Sequence, residues 1–121
     1  MSLAFKHKIF RRYLRVEISG ERTPGSEVRE TLEIWKEIAK IAVAEDRMKI
    51  LTIMKISGRL PMDSAFQVAK SAELIGWRRN FKLAVVAPRK SVLVNLGYEV
   101  KMFSSYWRGK RWLLSSRSVL D

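Results

Sequence analysis

Asp63 and Ser64, together with His7, are the side chains from which this chain could assemble a hydrolytic centre. A serine becomes a nucleophile when a base takes its proton, and the sequence holds one histidine, far from the Asp63-Ser64 pair. No Gly-x-Ser-x-Gly elbow surrounds Ser64. Just after Pro61, Asp63 has a simpler task open to it, that of satisfying free N–H groups in a first helical turn or offering a docking contact. His7 alone cannot make a zinc centre. The lack of cysteine removes disulfides, thiolate metal sites and cysteine nucleophiles. Ser57-Gly58-Arg59 could cradle an anion beside the following helix, or could simply turn the chain; the spaced glycines and Lys-Ser/Thr of a P-loop are missing. No cofactor motif and no catalytic constellation is visible, so the reading is non-enzymatic.

A second chemistry is written in the C-terminal half. Trp77-Arg78-Arg79, Lys82, Arg89-Lys90 and Tyr106-Trp107-Arg108-Gly109-Lys110-Arg111-Trp112 interleave aromatic rings with cations. Single-strand nucleic-acid binders combine the same two groups, rings to stack on bases and cations to meet phosphates. Arg78, Arg79, Trp107, Arg108, Lys110 and Arg111 are therefore candidate nucleic-acid or anion contacts. No RNP motif, KH loop or zinc finger accompanies them. The last helix admits two registers. In one, Tyr106, Gly109, Trp112 and Leu113 share the buried arc and Trp107 and Leu114 face outward. In the other, Phe103, Tyr106, Trp107, Leu113 and Leu114 are buried.

The elements that must carry these residues follow from periodicity. Leu14, Val16 and Ile18 alternate with Arg15 and Glu17 up to Gly20, the pattern of a half-buried strand, and Phe5 to Phe10 can pair with it through Arg11-Arg12. Thr23-Pro24 reads as a helix start, with Val28, Leu32, Trp35, Ile38, Ala39 and Ala42 on one face as far as about Glu45. Met48 to Ile56 suits an interior strand. A helix after Pro61, with Phe66, Ala69, Ala72, Leu74 and Ile75 inward, ends at Gly76. Phe81 to Ala87 and Glu99 to Phe103 are strands, Pro88 to Gly97 a short helix, and Ser104 to Leu114 the final helix. Alternating strands and helices imply an α/β fold: a mixed, mostly parallel sheet of about five strands with about four helices in one domain spanning 1–121.

Composition sets bounds on function. The chain of 121 residues is 47% apolar and carries a net charge of +12. Residues 23–46 hold six acids against three bases, whereas 78–121 hold ten bases against two acids. Such asymmetry attracts nucleic acid, anionic lipid or an acidic protein, and it can equally be a solubilising surface. No apolar run reaches the roughly 20 residues of a membrane span, and no signal-peptide segment is evident; a cytoplasmic protein is the default expectation.

The run Met62-Asp63-Ser64-Ala65-Phe66 resembles the Met-Asp-Ser-Ser-Gly signature of STAS domains, the family of sulfate-transporter and anti-sigma-factor-antagonist modules. Tyr13 to Gly20 resembles that family's opening strand and Phe81 to Pro88 its fourth. Trp112-Leu113 in the last helix is similar to the SpoIIAA-like branch. The resemblance covers about residues 13–114 and implies a STAS-like fold that docks regulatory partners, nucleotides or lipids around 57–66. Ser57, Arg59, Asp63, Ser64 and Phe66 are the docking residues it implies. Ala65 stands where phospho-regulated members carry their acceptor serine, so the usual phospho-switch is not expected, and Phe66 replaces a glycine.

The sequence thus supports two functions: a STAS-like regulatory module docking a protein or small ligand at 57–66, and a module binding RNA or single-stranded DNA on its basic face. A peripheral anionic membrane is a further partner for that face. A homodimer through Trp35, Phe66 or Trp107 is also compatible.

Overall fold

The alternating residues at the start of the chain pair as an antiparallel hairpin in the computed structural model, which describes residues 3–23, 25–57, 62–87 and 97–115. β1 (Leu3–Ile9) lies against β2 (Leu14–Glu21), with Ile9 opposite Leu14 and Leu3 opposite Gly20. β3 (Lys49–Ser57), β4 (Lys82–Val86) and β5 (Glu99–Phe103) then add in parallel, so that the sheet order follows the chain, β1-β2-β3-β4-β5. The mixed α/β sheet of five strands is therefore present. Three helices are described: α1 (Glu27–Ala44), α2 (Met62–Lys70) and α3 (Tyr106–Leu114). The short helix expected from Pro88 falls on residues 88–96, outside the described residues.

Successive right-handed crossovers in one direction place their helices on one side of a sheet. Leu14, Val16 and Ile18 of β2, Ile50 of β3, and Leu83 and Val85 of β4 accordingly share a core with Ile34, Ile38, Ala39 and Ala42 of α1. The segment after α2 closes this core from below. Trp77 packs edge-on against both Trp35 and Phe81, at 5.4 and 4.9 Å between ring centroids. The opposite faces of the same strands present Leu51, Ala84 and Val86 to Leu113 of α3, with Tyr13 beside them. Leu113 is fully buried, which is worth about 1.5–3 kcal/mol for a side chain of this size.

α3 adopts the register with Trp107 outward. Gly109 and Leu113 are buried, Tyr106 and Trp112 are half-buried, and Trp107 is 69% exposed. Leu114 differs from that register's expectation, being half-buried against the same core. A Cβ at Gly109 would stand 3.1 Å from the Val86 Cγ2 and 3.4 Å from both Leu51 and Phe103, so the glycine sets how closely the helix approaches the sheet.

Several boundaries differ from the sequence reading. α1 begins at Glu27 with Ser26 as its N-cap residue, not at Thr23, because Gly25 takes a φ of +87° that interrupts a right-handed helix. Its buried face includes Ile34, while Val28 and Leu32 are only half-buried. α2 ends at Lys70; residues 71–76 continue as tight turns until Gly76, at φ +94°, redirects the chain so that Trp77 enters the core. The expected inward side of that helix is partly outward: Phe66 is 45% and Leu74 89% exposed.

Candidate functional site

α3 packs against β3, β4 and β5, and the β1–β2 half of that sheet face lies beyond it. Side chains directly opposite one another across antiparallel strands share a face. Lys6 is opposite Glu17 and Lys8 opposite Arg15; Lys55 of β3 pairs with Ser19 and points the same way. The floor beside α3 thus carries Lys6, Lys8, Arg15 and Lys55 around the Glu17 carboxylate. The Glu17 carboxylate meets the Lys55 ammonium at 3.0 Å, and the Lys6 ammonium and the Arg15 guanidinium at 3.9 Å each. The hydrogen bond from Lys55 holds the Glu17 carboxyl below its usual range, with the charges of Lys55, Lys6 and Arg15 acting in the same direction. Lys6, Lys8 and Lys55 remain exposed, so these pairs contribute little stability and their cations stay accessible.

The wall of this shelf is the near side of α3. The Arg15 guanidinium lies 5.9 Å from the Tyr106 ring centre, and the Lys110 ammonium lies 5.7 Å from Tyr13 and 5.5 Å from Trp107. The rings of Trp107 and Tyr106 are perpendicular, 5.1 Å apart between centroids, and Trp107 is 69% exposed. The hydroxyls of Tyr13 and Tyr106 are 3.0 Å apart and tie the start of β2 to the start of α3. Burial, reinforced by that hydrogen bond, pushes the Tyr13 hydroxyl up to about 12. Arg108 and Arg111 are exposed on the same helix. The far end of α3 is pinned by two cations: the Lys82 ammonium donates to the Trp112 carbonyl at 2.7 Å, and Arg12 donates to that of Leu114 at 3.1 Å.

The residues singled out from the basic half of the sequence therefore separate. Trp107, Arg108, Lys110 and Arg111 stay together on α3. Arg78 and Arg79 do not join them: they precede β4, and Arg79 lies 4.2 Å over Tyr98, a ring of the α1-side core. Trp77 is buried, and the ring of Trp112 has Lys82 4.5 Å above it. Tyr106 comes from the run already singled out, whereas Lys6, Lys8, Arg15, Glu17, Lys55 and Tyr13 join the site without having been. Their signal was the polar half of the strand alternation, which puts Lys6 and Lys8, and Arg15 and Glu17, on the side away from the apolar set.

Of the docking residues, Ser57 is exposed at the end of β3, its hydroxyl donating to the Gly20 carbonyl at 3.4 Å. Arg59 lies outside the described residues. Asp63 and Ser64 fall in the first turn of α2, with their side chains outside what is described. Phe66 is exposed, with the Lys70 ammonium 5.9 Å from its ring centre. His7 shares a face of β1 with Phe5, at 6.5 Å between rings. Among the described residues no group of three His, Asp or Glu could hold a metal ion, and no helix is long and apolar enough to cross a membrane.

No protein-family model matches the sequence, and no curated protein matches it either.

Proposed function

We propose that this chain is a non-catalytic, STAS-like binding module that takes a ligand bearing several negative charges on the open half of its sheet, beside α3. The observation that carries this reading is the gathering of Lys6, Lys8, Arg15 and Lys55 around Glu17, next to Lys110 and the exposed Trp107. Cations on one rigid, solvated face add their fields, raising the local concentration of a multivalent anion far more than the same charges scattered would. The strand backbone spaces Lys6 and Lys8 about 7 Å apart, close enough to act on one ligand. Binding of fluorescently labelled heparin tests the site. Lys6→Glu/Lys8→Glu should weaken it at least tenfold, and the charge-matched Lys36→Glu/Lys40→Glu on the outer side of α1 should weaken it much less. Equal weakening by both pairs would overturn the reading.

A second reading has its own support, the exposure of Phe66 on α2, the helix that follows β3 in the chain, since open α/β sheets place their sites at the carboxyl ends of their strands. In that reading the 57–66 surface docks a protein or small ligand, in the manner of STAS domains, without phosphorylation at Ala65. Asp63→Lys and Phe66→Glu would then each abolish retention of a partner that the wild-type domain retains. Unchanged retention with a folded domain would count against it.

A further inference from the structure

We infer that the ligand of the basic shelf is single-stranded nucleic acid, its phosphates on the cations of β1, β2 and β3 and one base stacked on Trp107. The inference rests on the binding site proposed above and names its occupant. Three features of the shelf select among polyanions.

The first is shape. A helix is about 10 Å across, so α3 stands above the sheet as a step. A flat bilayer resting on α3 would hold its headgroups roughly a helix diameter from Lys6 and Lys8, beyond the Debye length of about 8 Å at physiological salt. A single extended strand is thin enough to lie in the corner between the helix and β2. There it reaches floor and wall together.

The second is the ring. Trp107 is 69% exposed, yet it is fixed by its edge-on contact with Tyr106 and by Lys110. A largely exposed indole braced by a neighbouring ring offers a stacking surface. A duplex hides the faces of its bases within the stack and would gain nothing from it, and a sulfated sugar has no flat π-face to present.

The third is spacing. Lys6 and Lys8 are alternate residues of one strand, with Arg15 across from Lys8 and Lys110 on the wall above Tyr13. This double row runs along the hairpin and can follow successive phosphates of one extended backbone. Glu17 stands across from Lys6 in this row, its carboxylate engaging Lys55, Lys6 and Arg15.

Fluorescence anisotropy with labelled oligo(U) and oligo(dT) tests this, beside labelled heparin, a DNA duplex of the same sequence length, and vesicles of phosphatidylcholine and phosphatidylserine. Trp107→Ala should weaken oligonucleotide binding by about tenfold to a hundredfold, the loss expected for one base–aromatic stack, and leave heparin binding unchanged. With four phosphate contacts, the logarithm of the affinity should fall against the logarithm of salt with a slope of about −3. Trp107→Phe should restore most of the lost affinity. If Trp107→Ala alters oligonucleotide and heparin binding equally, or if duplex or vesicles bind more tightly than single strands, the nucleic-acid assignment is wrong while the anionic site stands. If Lys6→Glu/Lys8→Glu leaves every anion bound as before, the site itself is wrong, and the inference falls with it.

Discussion

The Lys82 ammonium sits 4.5 Å above the ring of Trp112 and donates a hydrogen bond of 2.7 Å to the carbonyl of the same residue. Lys82 opens β4 and is only 5% exposed, so a buried cation from the sheet serves as the C-terminal cap of the helix lying on it. Ser115 joins the same cluster, its hydroxyl 2.9 Å from the Trp112 carbonyl and 3.2 Å from the ammonium. The Trp112 carbonyl and the Ser115 hydroxyl are thus both hydrogen-bonded at this end of α3. That in turn holds the other end of α3, with Tyr106, Trp107 and Lys110, at a constant place above β2.

Lys82→Met keeps the stem and removes the charge. It should lower stability by about 1–2 kcal/mol, the combined scale of a cation at a helix C-terminus and a partly desolvated cation–π contact. Urea unfolding at neutral pH measures this. An unchanged midpoint would mean that desolvation of the ammonium cancels both contacts.

Gly109 sets the seating of the same helix. Gly109→Val drives branched methyl groups into Val86, Leu51 and Phe103 and should cost about 1–3 kcal/mol by overpacking. Thermal unfolding reads the loss, and Trp107 fluorescence reads any shift of α3. A variant as stable as the parent would show that the helix can lift from the sheet without penalty.

Thr52 lies fully buried in the middle of β3, and its hydroxyl has no hydrogen-bond partner. Thr52→Val replaces it with a methyl of similar size, so stability should rise by about 1 kcal/mol as an unsatisfied polar group leaves the core. A clear fall in the urea midpoint would contradict this.

Glu17 makes the shelf sensitive to acid. Its folded pKa lies below the ordinary carboxylate value, so its stabilising contribution is present above that value and is lost as pH falls through the folded pKa. The urea midpoints of wild type and Glu17→Gln should differ at pH 6 and draw together as acid protonates the folded carboxyl, below the ordinary carboxylate value. Glu17→Gln should also bind polyanions several-fold more tightly at neutral pH, having lost the competing carboxylate.

Tyr13 provides the alkaline counterpart. Its hydroxyl titrates at about 12, above the ordinary 10.0, so the contribution of the neutral phenol is complete below the ordinary value and is lost as pH rises through the folded one. Ultraviolet titration should show a late-ionising tyrosine. In Tyr106→Phe its midpoint should fall but stay above 10.0, because burial outweighs the hydrogen bond among the causes. An unaltered midpoint would assign the whole shift to burial.

Much of the scaffold was legible without coordinates. The two-residue period of Leu14, Val16 and Ile18 against Arg15 and Glu17 defines a strand with one apolar and one charged face, and the alternation of strands with helical periods implies an α/β sheet. Gly76 marks a chain reversal because a left-handed φ suits a residue without Cβ. These are local properties, decided by backbone sterics and by residues two to four apart. Which of two apolar arcs α3 would bury is not local. It depends on the shape of the sheet beneath, where Leu51, Val86 and Phe103 leave room for a glycine and none for a tryptophan. Only the tertiary structure moved Arg79 onto Tyr98 and away from Trp107, turned Lys82 into a helix cap, and brought Lys6, Arg15 and Lys55 to one face beside Lys110. Charges far apart in sequence meet because strand register and helix docking place them together, and both are set by burial of the apolar sides of those same strands.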